Sequence, residues 1–281
     1  MKILITGGTG FIGYNIAKKL SHNNKIYLIK RNISKKKNPK NVKIITYSDN
    51  DELNKKLKKI SVNVVIHAAT HYSKIHNFKD LEQFSNSNIL FGNIILENLK
   101  KMKVKKFINF STVWEDYNAI KENSYNLYSA YKNAFSKILK FYMKINPHIK
   151  HYDLMISDTF GQNDNRLKIV NTLRKNYKKN LETKIISKNL ILNLLNVEDI
   201  VRAVSTILDQ NIKPGKYLLK NNKNLNIFKL IEIFNKTYLK KIKVFWKSKK
   251  RINQKIYSYN KLSGWKPVKS NISDIIKIIK N

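Results

Sequence analysis

Lys2-Ile3-Leu4-Ile5-Thr6-Gly7-Gly8-Thr9-Gly10-Phe11-Ile12-Gly13 opens the chain with an apolar run that breaks directly into glycines. A short apolar run closed by turn residues reads as a buried strand, and the helical spacing over 12–21 continues from it. Glycines at 7, 10 and 13 between a strand and a helix have the spacing of a dinucleotide loop. Gly7 permits the tight turn, Gly10 lets the backbone approach a pyrophosphate, and Gly13 permits close helix packing. The helix N-terminus adds amide hydrogens and partial positive charge for the phosphates. Thr9, Phe11 and Ile12 complete the candidate cofactor loop. The bland alternative is an ordinary glycine turn, which the flanking strand and helix argue against.

Beyond the loop, apolar runs alternate with helical patterns. The pattern predicts strands over 2–6, 25–30, 42–47, 62–67, 106–110 and 151–156, with helices over 12–21, 52–60, 81–101 and 128–145. Six strands with long crossovers predict an α/β fold, a doubly wound parallel (Rossmann) sheet whose ligand crevice lies at the carboxyl ends of its strands. After Asp158 the pattern loosens, to a helix over 167–178, a strand over 190–195, a helix over 197–208 and an amphipathic terminal helix over 272–279. Residues 1–165 are expected to form the dinucleotide-binding domain, with 189–210 returning to it. Residues 166–281 are expected to form mainly a smaller substrate-binding lobe.

The end of the second strand bears on which dinucleotide is held. An acid there would bind the ribose 2′-hydroxyl of NAD, whereas arginine accommodates the 2′-phosphate of NADP. The chain reads Ile29-Lys30-Arg31-Asn32-Ile33-Ser34, with no acid. Lys30 and Arg31 therefore favour NADPH over NAD, although abundant lysine by itself would also place Lys30 there.

The formal net charge is +38, from 56 Lys and Arg against 18 Asp and Glu. A nucleic-acid face would favour arginine for bidentate contacts and would cluster its charge. The arginines are only Arg31, Arg166, Arg174, Arg202 and Arg251, and the one dense lysine run is Lys35-Lys36-Lys37 near Lys40. Lysine, asparagine and isoleucine are inflated together, the mark of an AT-rich coding sequence, so no specific nucleic-acid partner is expected. The field still suits anionic substrates. The absence of cysteine excludes disulfides and thiolate metal sites, and the histidines show no ligand spacing, so no metal is expected. With no signal-peptide pattern and no window near the ~20 apolar residues of a membrane span, a cytoplasmic location is the expectation.

Tyr128 and Lys132 stand four apart on a predicted helix, hence on one face. A phenol titrates near ~10, and a fixed cation within ~4–6 Å favours the phenolate. The pair is therefore read as a proton-exchanging tyrosine served by a lysine, in a protein that holds a dinucleotide and moves a hydride.

Taken as a set, these residues resemble an extended short-chain dehydrogenase/reductase of the nucleotide-sugar epimerase/dehydratase class. The set comprises the glycine loop, His67-Ala68-Ala69-Thr70, Asn88 with Gly92, Phe110-Ser111-Thr112, Tyr128 with Lys132, Asp158-Thr159-Phe160-Gly161, Val197-Glu198-Asp199-Ile200-Val201 and Gly264-Trp265-Lys266-Pro267. The resemblance spans nearly the whole chain and implies a homodimeric enzyme. It implies a triad in which Thr112, with Ser111 as fallback, holds a sugar carbonyl, Tyr128 protonates it, and Lys132 binds the nicotinamide ribose and lowers the tyrosine pKa. Ala68 and Ala69 are implied to line the cofactor. Thr112 also has a plainer reading, as a strand-end hydroxyl capping its own backbone.

The 4,6-dehydratases of this family follow the threonine with an acidic pair, where this chain has Val113-Trp114. That departure argues against dehydration. The Thr112-Val113-Trp114 and 158–166 segments most resemble the branch of CDP-abequose and CDP-paratose synthases, which reduce a 4-keto group. The expectation is an NADPH-dependent 4-ketoreductase of a nucleotide-activated hexose. The alternatives are an NAD-dependent 4-epimerase and, in a different class, a non-catalytic NADP or nucleic-acid binder. His71, Tyr72, Trp114, Asp158 and Arg166 are the further candidate substrate contacts. His71 and Tyr72 would touch sugar or merely shape the loop, Trp114 would cover the pocket or pack, and Arg166 would pair with a diphosphate or lie at the surface. Asn88 would support a water near Lys132 or cap helix contacts.

Overall fold

The computed structural model describes residues 1–34 and 37–281. Lys35 and Lys36 of the dense lysine run lie outside the described residues. The seven-stranded sheet comprises β1 (Lys2–Thr6), β2 (Lys25–Arg31), β3 (Val42–Tyr47), β4 (Val64–His67), β5 (Lys106–Thr112), β6 (Lys150–Ile156) and β11 (Gly215–Leu219). Its order is β11-β6-β5-β4-β1-β2-β3, and every pairing is parallel. Central strands of such a sheet are covered on both faces and must be continuously apolar. Accordingly β4, Val-Val-Ile-His, is buried at every position.

Helices cover both faces. On one, Ile16 and Leu20 of α1 (Phe11–Leu20) pack with Ile200 and Val204 of α7 (Val197–Asp209). On the other, Leu53 and Leu57 of α2 (Asn50–Lys58) pack with Leu96 of α4 (Phe91–Glu97) and Phe135 and Leu139 of α5 (Leu127–Ile145). A separate core gathers Phe160, Leu173 of α6 (Ile169–Lys178), Leu230 and Phe234 of α8 (Ile227–Thr237), and Ile275 and Ile279 of α9 (Ile272–Lys280). Around it lie short strands: β7 (Asp158–Phe160) beside β10 (Leu194–Asn196), β8 (Thr183–Ile185) beside β13 (Val244–Trp246), and β9 (Leu190–Leu192) between β12 (Leu225–Asn226) and β14 (Ile252–Asn253).

Three departures from the sequence pattern affect the site. The single helix expected over 81–101 is broken into α3 (Phe78–Phe84), a π-helical stretch Ser85–Leu90, and α4. The strand expected over 190–195 is split into β9 and β10, which join different sheets on either side of buried Asn193. A seventh strand, β11, extends the six expected. Among the described residues no helix is long and apolar enough to cross a membrane.

A buried carboxylate on α7 anchors part of the tail. Asp199, fully buried on α7, accepts from the backbone amides of Val268 and Lys269 and from the Ser270 hydroxyl at 2.6 Å. Trp265 Nε1 donates to the Asp199 carbonyl at 2.8 Å. Thus the Val197-Glu198-Asp199 and Gly264-Trp265 segments, 66 residues apart in the Trp265–Asp199 bond, form one joint.

Candidate active site

The strand order reverses between β1 and β4, and a crevice opens at such a switch point. Thr6 and His67 face each other there in register, with Thr6 Oγ1 3.0 Å from His67 Nδ1. Thr6 Oγ1 also accepts from the Ala69 amide at 3.2 Å, which ties the chain leaving β4 to the end of β1. Burial, with Lys132 nearby, pushes the His67 pKa down to about 3, so the ring is neutral.

The glycine loop has a shape a dinucleotide phosphate can occupy. Gly7 has φ +66°, and a Cβ there would lie 2.6 Å from the Ala68 and Ala69 backbone. A Cβ at Gly13 would fall 2.4 Å from the Gly7 carbonyl oxygen. Gly10 is the N-cap of α1 without a side-chain cap, and a Cβ there would meet only the Gly7 oxygen, at 3.2 Å. Helix amides without a capping side chain and an open approach are what a pyrophosphate requires. Thr9, Phe11 and Ile12 are all half-buried around it. Lys30 and Arg31 end β2, where Arg31 is exposed.

The π-helical stretch turns Asn88 inward, where it is 3% exposed. Its carboxamide oxygen accepts from the His71 amide at 2.6 Å and the Thr70 hydroxyl at 3.1 Å, and its nitrogen donates to the His71 carbonyl. Asn88 therefore clamps the loop after β4, in keeping with the tendency of π segments to occur at functional positions. That clamp directs the two loop candidates differently. The His71 ring turns to Asp80, 3.0 Å away, and to the edge of Phe84. Tyr72 instead meets Tyr128 edge-on, with ring centres 5.0 Å apart.

Asn126 caps α5 by accepting from the Ser129 amide, while Ser129 Oγ accepts from the Asn126 amide. This fixes the helix start and sets Tyr128 in the first turn, with Lys132 one turn on and 4% exposed. The helix packs against β5, at whose end Ser111 and Thr112 are buried. Thr112 Oγ1 accepts weakly from the Trp114 amide at 3.4 Å, leaving its proton for another partner. Ser111 Oγ is buried with no hydrogen-bond partner.

The electrostatics differ from the sequence expectation. Burial raises the Tyr128 phenol well above its ordinary value and the Glu115 carboxylate adds to this, against a Thr70 hydrogen bond and the Arg166 charge. Burial lowers the Lys132 pKa, while Glu115 and Asp153 support its charge. The phenol pKa thus moves against the expected direction, because loss of solvation dominates and an unforeseen carboxylate, Glu115, adds to it.

Across the cleft, Asp158 pairs with Lys168 at 3.1 Å and receives Gln254 Nε2 at 3.3 Å. Burial opposes the Lys168 charge, but Asp158 and Tyr72 outweigh it and raise its pKa. The Lys168 ammonium lies 4.7 Å from the Tyr72 ring centre and 4.9 Å from that of Trp114. Tyr72, Trp114 and Asp158 thus gather around one lysine that sequence reasoning missed, hidden among many others. Arg166 is committed within the chain. It forks the Asp164 carboxylate at 2.8 and 2.9 Å, donates to Thr159, and lies 4.2 Å from the centre of the Phe11 ring.

Residues 3–219 match the model of the NAD dependent epimerase/dehydratase family. The chain belongs to that family. Among its curated relatives is a CDP-abequose synthase of Yersinia pseudotuberculosis, 28% identical over 235 residues, 81% of this chain and 78% of that protein. The fold is shared with the UDP-glucose 4-epimerase of Thermotoga maritima, solved with UDP-glucose (TM-score 0.84, 21% identity, 100% of this chain and 97% of that one). It is shared too with the UDP-glucose 4-epimerase of Thermus thermophilus in complex with NAD (TM-score 0.81, 18% identity, 100% and 99% covered). This epimerase/dehydratase family member is an NAD(P)-dependent enzyme.

Proposed function

We propose that the chain is an NADPH-dependent reductase of the 4-keto group of a nucleotide-activated deoxyhexose, serving surface-polysaccharide sugar synthesis. The observation that carries this reading is the placement of Tyr128 and buried Lys132 one turn apart at the start of α5, the helix packed against β5, which ends at Thr112. The curated relative named CDP-abequose synthase supports the substrate class. The dinucleotide, when bound, supplies the hydride. Residues 1–165 with the returning 189–210 segment would bind it, and the lobe formed mainly by 166–281 would bind the sugar nucleotide.

The glycine loop would hold the pyrophosphate, Arg31 and Lys30 the 2′-phosphate, and Lys132 the ribose nearest the reacting ring. Thr112 donates to the sugar carbonyl oxygen and aligns it. Tyr128 would give its phenolic proton to that oxygen as the carbonyl is reduced to an alcohol. The phenolate then regains a proton from solvent. Tyr72 and Trp114 border the sugar, and Lys168 offers charge to its diphosphate. The working unit is proposed to be a cytoplasmic homodimer, with exposed Leu81, Leu90 and Phe141 available to an interface.

The test is a set of 4-keto nucleotide sugars with NADPH, following loss of the reduced cofactor and the product by NMR. Tyr128→Phe should lower turnover by the ~10²–10⁴ expected for losing a positioned acid. Full activity in that variant would overturn the reading. The fold shared with 4-epimerases favours a second reading, epimerisation on retained NAD. NAD released on denaturing the purified protein would decide for it.

A further inference from the structure

The two-stranded sheet of β8 and β13 presents a surface that the reaction as described does not use. From Lys240 to Arg251, seven of twelve residues are basic and none is acidic, against 56 basic residues in the 281 of the whole chain. Apolar residues interrupt this stretch, and the fold sorts the two kinds. β13 runs parallel to β8, with Phe245 opposite Lys184 and Trp246 opposite Ile185. The pairing continues past the strand ends, where the Lys247 amide donates to the Ile185 carbonyl at 2.9 Å and the Lys188 amide to the Ser248 carbonyl at 3.0 Å. Side chains alternate across a strand. Ile185 on one strand and Val244 and Trp246 on the other therefore turn inward onto the lobe core. The alternate set points outward and is exposed: Lys184, Ile186, Lys243, Phe245 and Lys247.

This face combines bare charge with bare apolar area. Ile186 is 57% and Phe245 52% exposed, and Leu181 and Leu239 stand exposed on the turns that lead into the two strands. Because the strands are parallel, both turns lie at one end, where Lys240 Nζ reaches the Lys178 carbonyl at 3.3 Å. Glu182 is the only acid in 181–188 and 239–251. Among the described residues, Lys184, Lys243 and Lys247 form no ion pair. Such a surface fits a partner that is anionic at its boundary and apolar just beneath. A second copy of this chain would oppose lysine to lysine, which charge disfavours. A nucleic-acid face would favour arginine for its forked contacts, whereas the outward cations of this ribbon are all lysine. An anionic bilayer meets both requirements, since lysine serves as a point charge against headgroups while apolar side chains enter the layer below them.

We propose that the outward face of the β8–β13 ribbon docks this protein on an anionic lipid bilayer, with Phe245 and Ile186 entering the interface between Lys184, Lys243 and Lys247. Lysine is abundant over the whole chain and supplies a general attraction. This face adds apolar side chains to insert, on a ribbon whose inner side is already fixed in the lobe core, so little ordering is needed on docking. The docking does not depend on which sugar or dinucleotide the crevice takes.

The experiment measures cosedimentation of the full chain with vesicles of phosphatidylcholine, alone or mixed with about a third phosphatidylglycerol, at about 0.1 M salt. Three variants are compared with wild type: the triple Lys184→Gln, Lys243→Gln, Lys247→Gln; the pair Ile186→Ser, Phe245→Ser; and a control triple, Lys55→Gln, Lys58→Gln, Lys59→Gln, exposed at α2. All should keep the wild-type thermal transition, because the altered side chains are exposed. Wild type should partition onto the anionic vesicles only. A lysine near such a surface is worth about fivefold, so the ribbon triple should weaken partition at least ~10-fold. The apolar pair should do the same, and the control less than ~3-fold, since charges beyond ~10 Å are screened. The chain has no cysteine, so Phe245→Cys can carry an environment-sensitive fluorophore whose emission should shift to the blue on anionic vesicles, while the same label at Lys58→Cys should not. A control triple that loses as much as the ribbon triple assigns the attraction to overall charge and overturns the proposal. Wild-type partition in the apolar pair, an unshifted label at 245, or no partition by wild type overturns it too. So does tighter binding of random duplex DNA than of vesicles, lost in the same ribbon variants, which would make this a nucleic-acid surface.

Discussion

The guanidinium of Arg166 lies 4.2 Å from the centre of the Phe11 ring while forking both carboxylate oxygens of Asp164. It joins the first residue of α1 to the segment between β7 and α6. Asp164 is only 2% exposed, so removing its partner leaves a buried carboxylate with little compensation. Arg166→Met should cost on the order of 1–3 kcal/mol, the lower part of the range for such pairs because solvent reaches about a third of the arginine. Arg166→Lys should recover only part, since it cannot fork a carboxylate. Chemical denaturation of the three proteins checks this, and a lysine variant as stable as wild type would speak against the fork.

The glycine loop allows a sharper contrast. Gly13→Ala would drive a Cβ to 2.4 Å from the Gly7 carbonyl oxygen, where backbone has to move. It should lower stability by about 1–3 kcal/mol and abolish dinucleotide binding. Gly10→Ala meets the same oxygen at a tolerable 3.2 Å but fills the open approach. It should leave the melting temperature close to wild type and weaken dinucleotide binding at least tenfold by calorimetry.

Stability should depend on pH through two buried groups that act in opposite directions. Glu115 holds its proton from an ordinary 4.5 up to about 7 in the folded chain. The folded state binds the extra proton, so this contribution is full below 4.5 and is lost as pH rises to 7, by up to roughly 3 kcal/mol. His67 refuses a proton from 6.5 down to about 3, so its effect is a loss of stability as pH falls through that window. The two offset each other between about 4.5 and 6.5. Glu115→Gln should expose the histidine slope, with urea midpoints rising as pH increases to 6.5 and flattening above it. A profile parallel to wild type would contradict the Glu115 assignment.

Cofactor choice should follow Arg31, exposed at the end of β2 beside a strand end with no acid. Arg31→Ala should weaken NADPH binding about tenfold or more, the cost of one charge-assisted phosphate contact, and leave NADH unchanged. Equal losses for both cofactors would remove the argument for a 2′-phosphate pocket.

How much of this was legible in the chain depended on how local the signal was. The glycine loop, β1 and α1 are contiguous, and their spacing is dictated by backbone sterics that any fold must obey. Tyr128 and Lys132 share a helix face because helical geometry places i and i+4 together. The break at Ser85–Leu90 left no mark in the periodicity, since a π turn shifts the register by a single residue inside an otherwise helical run. Nor did the short strand Gly215–Leu219 signal that it belongs to the main sheet. Its partner, β6, lies 63 residues earlier at the Tyr152–Gly215 pairing.

Order along the chain by itself determined the doubly wound sheet, the phosphate loop and the tyrosine–lysine pair, because each follows from spacing within a few helical turns. Only the tertiary structure decided which lysine among dozens stands between Tyr72 and Trp114, that Arg166 is spent on Asp164, and that Glu115 lies sealed beneath the crevice. Those outcomes depend on solvation and on charges brought together from β5, β6, β11 and α5. Burial depends on how the whole chain packs, and no local pattern encodes it.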